Sequence, residues 1–217
     1  MVLLTYVDDC IIISPSRNSI DCLISSMQSG PENFKLTNKG GVNKCLVVEI
    51  TRLNDNSFEM SQPFSIDGIL SFLSQCNNEC ETDANSTSTP VAKGLLHRDL
   101  NGKGRKYTWK HRTAVGMLSY LQNTSRPEIS MAVHQAAQFS NDPTLSHEKS
   151  IMRIGRYLLD TRKHGIIYKP DKSKRLECYV DADFASGWSQ ADAKNANNVL
   201  SRTGYILMYA KCPIPLG

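Results

Sequence analysis

The sequence opens with MVLLTYVDDCIII (residues 1–13), and this stretch decides how the first part of the chain folds. Apolar, β-prone residues occupy 3–7 and 10–13, on either side of Asp8 and Asp9. Two such runs separated by a short polar pair are typical of a β-hairpin. The stretch therefore predicts two antiparallel strands with the aspartates at their tight turn.

The adjacent carboxylates of Asp8 and Asp9 suggest a metal site. Bringing like charges together in an apolar hairpin costs free energy, and a bound cation offsets that cost. Carboxylate oxygens suit Mg²⁺, and two such ions about 4 Å apart activate a hydroxyl and stabilise the leaving oxygen in nucleotidyl transfer. The alternative is an ordinary exposed Asp-Asp turn, because aspartate is common in turns.

Composition excludes several classes of protein. Hydrophobic residues make up 40% and charged residues 21%, which is ordinary for a globular protein. No apolar run approaches the roughly 20 residues that cross a bilayer, and the start lacks the basic region of a signal peptide. We expect no membrane association. The seven cysteines are irregularly spaced, Cys76 and Cys80 included, which predicts free thiols in a reducing compartment.

The net charge of +4 conceals an uneven distribution. Residues 1–92 hold 5 Lys+Arg and 11 Asp+Glu, whereas residues 93–112 hold 7 and 1, and residues 150–175 hold 8 and 2. An acidic first part followed by two basic stretches suggests a metal centre beside a track for a polyanion. A solvated basic surface is the alternative.

Apolar periodicity predicts an α/β chain of the α+β type. The polar stretch 76–90 carries no periodic pattern and is the predicted linker. Strands are expected at 34–36, 46–50, 58–60, 166–168, 176–184 and 204–209, and helices at 18–29, 66–73, 111–122, 127–139 and 142–160.

Two further groups of residues are candidates for function. Asp181 and Asp183 share one face of a predicted strand, where they can be two ordinary solvent-facing aspartates of an amphipathic strand. Lys149, Arg153 and Arg156 share one face of the predicted helix that ends near residue 160. Basic side chains at this spacing can track phosphates without reading bases, although a solvated helix face is equally consistent. The opposite, apolar face comprises Ile151, Ile154 and Leu158.

The segment LTYVDDCIII (residues 4–13) resembles the catalytic hairpin of reverse transcriptases, and later segments resemble copia-class retrotransposon polyproteins. The ordered series covers the chain to about Pro213 and is far more specific than any one motif. Its members are 34–37, 46–50, 61–62, 90–91, 116–121, 126–129, 134–135, 139–140, 153–159 and 179–185, with Trp188 and 201–205 continuing the match.

The resemblance implies three regions: residues 1–85, the C-terminal part of a reverse transcriptase palm with the start of the thumb; 86–172, a mainly helical thumb or connection segment; and 173–217, the first part of a ribonuclease H-like sheet. It also implies RNA template, DNA primer or RNA–DNA hybrid as partners, together with the remaining polyprotein segments. The implied location is the cytoplasm, in a virus-like particle, or the nucleus.

The resemblance also assigns roles to particular residues. It implies that Asp8 and Asp9 belong to the Mg²⁺ site for DNA synthesis in the parent enzyme, where Mn²⁺ is a possible substitute. Tyr6 and Val7 would lie near the primer terminus. Asp181 would be the first metal-binding carboxylate of the ribonuclease H.

The sequence departs from the family in ways that bear on activity. The third palm aspartate, upstream of the hairpin in the family, is not in this sequence, and no further acidic residue follows Tyr209. Lys44, Cys45 and Val47 replace residues typical of the family. We therefore expect an enzyme fragment that is inactive alone. A non-catalytic module that holds RNA–DNA hybrid and an unfolded remnant are the alternatives.

Overall fold

The computed structural model describes residues 1–45, 47–74, 87–92, 94, 96–99, 101–183 and 202–214. The chain forms two compact units, Met1–Ile50 and Thr51–Gly217. It mixes helices and strands, as the predicted fold class requires. The assignment of residues 1–85, 86–172 and 173–217 to three family regions stays a prediction. No helix within the described ranges is both long and apolar enough to cross a membrane.

The first unit begins with the predicted hairpin. Strands β1 (Val2–Tyr6) and β2 (Asp9–Ile13) pair antiparallel, from Val2 opposite Ile13 to Tyr6 opposite Asp9. The turn is formed by Val7 and Asp8. The expectation that both aspartates lie in the turn is therefore corrected, because Asp9 is the first residue of β2.

Helix α1 (Arg17–Ser29) follows the hairpin and ends at Gly30, as predicted. Its N-cap is Ser16, in an extended conformation, and not Asn18 or Ser19. The earlier start adds an ion pair between Arg17 and Asp21, whose Nε and Oδ1 atoms lie 3.3 Å apart on successive turns. Its partly buried face comprises Ile20, Leu23, Ile24 and Met27.

The prediction of a strand at 34–36 is wrong. The Phe34 amide donates to the Met27 carbonyl (3.2 Å) and the Gln28 side chain donates to the Leu36 carbonyl (3.3 Å). These bonds tie the segment to the end of α1. The predicted strand at 46–50 is displaced instead, into β3 (Lys44–Cys45) and β4 (Val48–Arg52), with Val47 in the turn between them.

The second unit contains two predicted strands that are distant in sequence and pair with each other. Strands β5 (Phe58–Ser61) and β6 (Ile166–Tyr168) pair antiparallel, with Phe58 opposite Tyr168. Gly165 precedes β6 so closely against β5 that a Cβ there would collide with the Met60 carbonyl oxygen. The pairing therefore requires glycine at this position.

Four helices build the core of the second unit: α2 (Pro63–Ser74), α3 (His111–Thr124), α4 (Ser130–Ala137) and α5 (Leu145–Asp160). The helix predicted at 127–139 is divided into a 3₁₀ turn at Pro127–Ile129 and α4. Proline occupies the first position of that turn, as expected. The side chains at the centre are fully buried and include Ile66, Leu118, Leu121, Ile129, Ile151, Ile154 and Leu158.

A separate sheet lies near the end of the sequence. Strands β7 (Leu176–Asp183), β8 (Arg202–Tyr209) and β9 (Cys212–Pro213) pair antiparallel in that order. The expected strands at 176–184 and 204–209 are confirmed over their described residues. The predictions that concern Cys76, Cys80, Trp188 and Ser201 lie outside the described residues.

Candidate functional site

The turn of the β1–β2 hairpin has a strained backbone. Val7 has φ +48°, and a β-branched residue is a genuine outlier in this left-handed region. Such positions cost roughly 1–3 kcal/mol and cluster at functional sites. The Val7 side chain is 87% exposed. The hairpin therefore presents Val7, and the exposed carboxylates of Asp8 and Asp9, at its tip.

Asp9 already has a cation beside it. Lys39 Nζ donates to Asp9 Oδ1 at 3.1 Å, and both side chains are about half exposed or more. An exposed pair of this kind contributes only about 0–1 kcal/mol, so an incoming metal ion can displace the ammonium at little cost. The donor set fits Mg²⁺ or Mn²⁺, because Asp8 and Asp9 offer hard oxygen atoms that solvent can reach.

Asp181 lies on β7, where it is exposed and pairs with Gly204 of β8. Glycine opposite it leaves the space beside the carboxylate open. The backbone of Asp183 pairs with Arg202 at the end of the same ladder. Across the described part of the chain, no three His, Cys, Asp or Glu side chains come together as a metal site.

Helix α5 has the predicted apolar face, since Ile151, Ile154 and Leu158 are fully buried. Its basic face is less uniform than expected. Lys149 is exposed, whereas Arg153 and Arg156 are partly buried. The Arg156 Nε atom is buried and has no hydrogen-bond partner among the described residues.

Arg153 binds a segment of the chain. Its Nε donates to the Thr89 carbonyl (3.1 Å) and its Nη2 donates to Thr89 Oγ1 (3.0 Å). Three further bonds continue along α5: Thr87 N to Asp160 Oδ2, His147 Nε2 to the His97 carbonyl, and Ser146 Oγ to Asp99 Oδ2. The described residues of 87–99 thus form a strap that runs antiparallel along α5.

Glu148 was not singled out by the sequence, yet its side chain is fully buried. Its Oε1 accepts from Arg105 Nε (2.7 Å), and its Oε2 accepts from the amides of Lys106 (2.9 Å) and Tyr107 (3.3 Å). These bonds fix the segment before α3 to the first turn of α5. The helical spacing of Glu148 from Ile151 and Leu158 could have indicated its burial.

His147, in the first turn of α5, also stabilises the start of this helix. The Thr144 amide donates to Nδ1 (3.0 Å), which leaves Nε2 to donate to the His97 carbonyl (3.1 Å). Nδ1 is therefore the acceptor in this arrangement, and Nε2 carries the proton that is donated. The imidazole also stacks on Phe139 at a centroid separation of 4.2 Å. His147 therefore completes the capping box of Thr144 at the start of α5.

Arg126 secures the other end of α5. It is 1% exposed, and it donates from Nη1 to the Thr161 carbonyl (3.0 Å) and from Nη2 to Thr161 Oγ1 (2.5 Å). Glu128 accepts from its Nε at 2.5 Å, and the guanidinium lies over Tyr157. A cation at a helix C-terminus is favoured by the helix dipole. This arginine therefore stabilises the C-terminal end of α5.

The chain is similar to known polyproteins over nearly its whole length. It is 30% identical over 212 residues to the retrovirus-related Pol polyprotein from transposon RE1 of Arabidopsis thaliana, which covers 98% of this chain and 13% of that protein. It is 26% identical over 217 residues to the Pol polyprotein from transposon TNT 1-94 of Nicotiana tabacum, covering 97% and 15%.

A third similarity covers most of a shorter protein. An uncharacterized mitochondrial protein of Arabidopsis thaliana, AtMg00810, is 29% identical over 185 residues, which is 85% of this chain and 72% of that protein. No family model matches the chain, and no solved structure matches it.

These similarities define the class of the chain as a segment of a retrotransposon polyprotein. Within that class, the chain belongs to the Pol polyproteins of copia-type retrotransposons, as the ordered motifs indicate. It spans only 13–15% of the length of the RE1 and TNT 1-94 polyproteins.

Proposed function

We propose that this chain is the segment of a copia-type Pol polyprotein that supplies two hairpin carboxylates for RNA-directed DNA synthesis and the first carboxylate of its ribonuclease H. The observation that carries the proposal is the exposed Asp8–Asp9 pair at the tip of a two-stranded hairpin with Val7 at φ +48°. A strained turn with two accessible carboxylates suits a site that must reach into a substrate duplex.

Asp8 and Asp9 would hold the divalent ion, Mg²⁺ or Mn²⁺, through their carboxylate oxygens. When bound, such an ion stabilises negative charge on the reacting phosphate oxygens. Tyr6 and Val7 would lie near the primer terminus, as the family resemblance implies. Tyr6 pairs with Asp9, and the side chains of Tyr6 and Val7 are both well exposed. Lys39 would leave Asp9 when the ion binds.

The isolated chain is expected to be inactive. Mg²⁺ requires near-octahedral oxygen coordination, and two ions need more carboxylates than Asp8 and Asp9 provide. We infer that other segments of the polyprotein complete the site. The same reasoning applies to Asp181 in the ribonuclease H.

The test is primer extension on a primed RNA template with Mg²⁺ or Mn²⁺. The polyprotein that carries this segment is expected to extend the primer, and its Asp8→Asn variant is expected to lose at least 100-fold in rate, since removing one preorganised electrostatic group typically costs about 10²–10³. Asp21→Asn is the matched control, because Asp21 is an exposed aspartate of α1 that forms an ion pair with Arg17. Unchanged extension by Asp8→Asn contradicts the proposal.

The ribonuclease H part of the proposal has a separate assay. Cleavage of an RNA–DNA hybrid by the same polyprotein should disappear in Asp181→Asn and persist in Asp171→Asn. Asp171 is suitable as a control because it lies outside the strand and pairs with Ser173 and Lys211. Cleavage that survives Asp181→Asn contradicts this assignment and leaves the polymerase assignment standing.

A second candidate function is backbone binding of an RNA–DNA hybrid by α5. It is favoured by the exposed side chain of Lys149 on the basic face of α5. Arg153 is engaged by Thr89 and is less available than the sequence suggested. Contact between this face and phosphate would follow shape and charge, not base sequence.

A further inference from the structure

The strap along α5 contains the dipeptide Thr89-Pro90. The sequence has two positions at which serine or threonine precedes proline, Ser14-Pro15 and Thr89-Pro90. Thr89 is exposed and lies in a stretch that is neither helix nor strand. A residue before proline also prefers an extended backbone. Thr89 therefore has the accessibility and the local sequence that a proline-directed protein kinase requires.

The surroundings of Thr89 are cationic. Its Oγ1 accepts from Arg153 Nη2 at 3.0 Å while its carbonyl accepts from Arg153 Nε at 3.1 Å. Lys149 lies one turn before Arg153 on α5 and Arg156 one turn after it, which places both near the same face. The buried Arg156 Nε lacks a partner among the residues that the structure describes.

Ser14 provides a contrast within the same chain. Its Oγ accepts from the Ser16 amide at 3.2 Å, and the nearby Arg17 is paired with Asp21. A phosphate at Ser14 would thus meet no arginine already aimed at its oxygen. Both sites have a hydroxyl residue before proline. They differ in the basic side chains that lie close enough to bind a phosphate.

We propose that Thr89 is a phosphorylation site for a proline-directed protein kinase and that Arg153, with Lys149 beside it, clamps the resulting phosphate. In the transfer, Thr89 Oγ1 forms a bond to the γ-phosphorus of a nucleoside triphosphate. The bond from that phosphorus to the β–γ bridging oxygen breaks, and nucleoside diphosphate leaves. The hydroxyl proton passes to the base of the kinase.

Physical chemistry favours both the transfer and the clamp. Thr89 is held by two hydrogen bonds from a partly exposed arginine and by one from its own hydroxyl to the Val91 carbonyl (3.0 Å). All three lie at the surface, so local opening toward a kinase is inexpensive. A phosphothreonine carries about −1.5 to −2 charges at neutral pH and accepts strongly from arginine. The guanidinium already lies against Oγ1 and can bind the phosphate through two parallel bonds.

The modification has a consequence for the basic face of α5. A clamped phosphate would neutralise Arg153 and Lys149 and would tie the strap to the helix. Phosphorylation should then weaken any binding of nucleic acid by this face, a consequence that rests on the second proposed function. The modification and the clamp do not depend on it.

The test treats the full chain with a proline-directed kinase and ATP, and then follows the phosphate signals by ³¹P NMR as a function of pH. The phosphate on Thr89 is expected to appear in the parent chain and to be absent from Thr89→Val. Its second pKa, ordinarily about 6, should be roughly one unit higher in Arg153→Gln than in the parent chain. A phosphate on Ser14 should show no such dependence on Arg153.

Two results overturn the proposal. The first is a folded chain in which the kinase leaves Thr89 unmodified. The second is a Thr89 phosphate whose pKa is the same in the parent chain and in Arg153→Gln. Arg153→Lys is a second variant in case Arg153→Gln does not fold. It keeps the positive charge but loses the two-bond geometry of the guanidinium, so the phosphate is expected to have an intermediate pKa.

Discussion

Glu148 carries a buried charge that organises the start of α5. It accepts from one guanidinium and two backbone amides, and its side chain is fully buried. Removal of one partner from a buried pair is costly, because the remaining groups lose both the bond and their water. The neighbouring Lys149, one residue further along the chain, is exposed, so its charge stays in water.

Glu148→Ala should therefore destabilise the chain strongly. We expect the free energy of unfolding to fall by about 3 kcal/mol, the lower end of the roughly 3–5 kcal/mol that breaking a buried pair costs, because Arg105 is 36% exposed and regains water. Urea denaturation measures the change. Lys149→Ala is the control and should stay within about 0.5 kcal/mol of the parent chain. Equal effects of the two variants would show that Glu148 is not a structural charge.

His111 makes the stability of the chain dependent on pH. Burial, above all, and then the Arg105 guanidinium and His147 lower its pKa from 6.5 to about 4, while Glu148 acts in the opposite direction. The folded state therefore binds the proton less readily than the unfolded state. Its contribution to stability is complete above pH 6.5 and is lost as the pH falls toward 4.

Replacement of His111 by glutamine should flatten this dependence. Between about pH 7 and pH 4.5, the parent chain is expected to lose roughly 2–3 kcal/mol more unfolding free energy than the variant. Urea denaturation of both chains at the two pH values gives the comparison. Parallel losses in the two chains would place the pH-sensitive group elsewhere.

Secondary structure was predictable where the hydrophobic pattern extends over several turns. Helices α3 and α5 follow from repeated apolar spacing, and the tight hairpin of β1 and β2 follows from local sequence. The strand predicted at 34–36 failed, because a short apolar run has no period of its own. Its hydrogen bonds go to the end of α1, a tertiary contact that sequence alone does not reveal.

The candidate sites were predictable to different extents. Asp8, Asp9 and Asp181 could be named as candidates from the sequence because the family motifs are local. The sequence could not locate Lys39 beside Asp9, since 30 residues separate the two. It also presented Arg153 as a solvent-facing cation, whereas Arg153 bonds to Thr89, which lies 64 residues away in sequence. Long-range partners of charged side chains are the part that patterns miss.

The basic face of α5 yields a prediction about salt. If Lys149 contacts phosphate, its replacement by glutamine should reduce the slope of log affinity against log salt by about 0.7–0.9, the value for one neutralised phosphate. Fluorescence anisotropy with an RNA–DNA hybrid at several salt concentrations measures the slope. Lys149 is preferred over Arg153 because its loss leaves the strap bonded to α5.

Lys35→Gln, which removes an exposed cation of the first unit, is the control for that experiment and should leave the slope unchanged. Identical slopes for the parent chain and Lys149→Gln would identify this helix face as solvated only. Absence of any binding at low salt would remove the second candidate function altogether.

The whole chain is a small share of the polyproteins that it resembles, and its two compact units contain different parts of the proposed chemistry. The hairpin carboxylates lie in the first unit and Asp181 lies in the second. Proposed polymerase and nuclease activities thus depend on separate groups of residues. Each can be tested without reference to the other.

The proposed function depends on the binding of a divalent metal ion by Asp8 and Asp9. The most direct measurement is the broadening of backbone amide signals by substoichiometric Mn²⁺ in NMR spectra of the chain. We expect broadening centred on Val7, Asp8 and Asp9, stronger in Lys39→Gln and absent from an Asp8→Asn/Asp9→Asn double variant. Metal binding by Asp8 and Asp9 would be contradicted if the amide signals of the hairpin were not broadened. It would also be contradicted if the broadening persisted unchanged in the double variant.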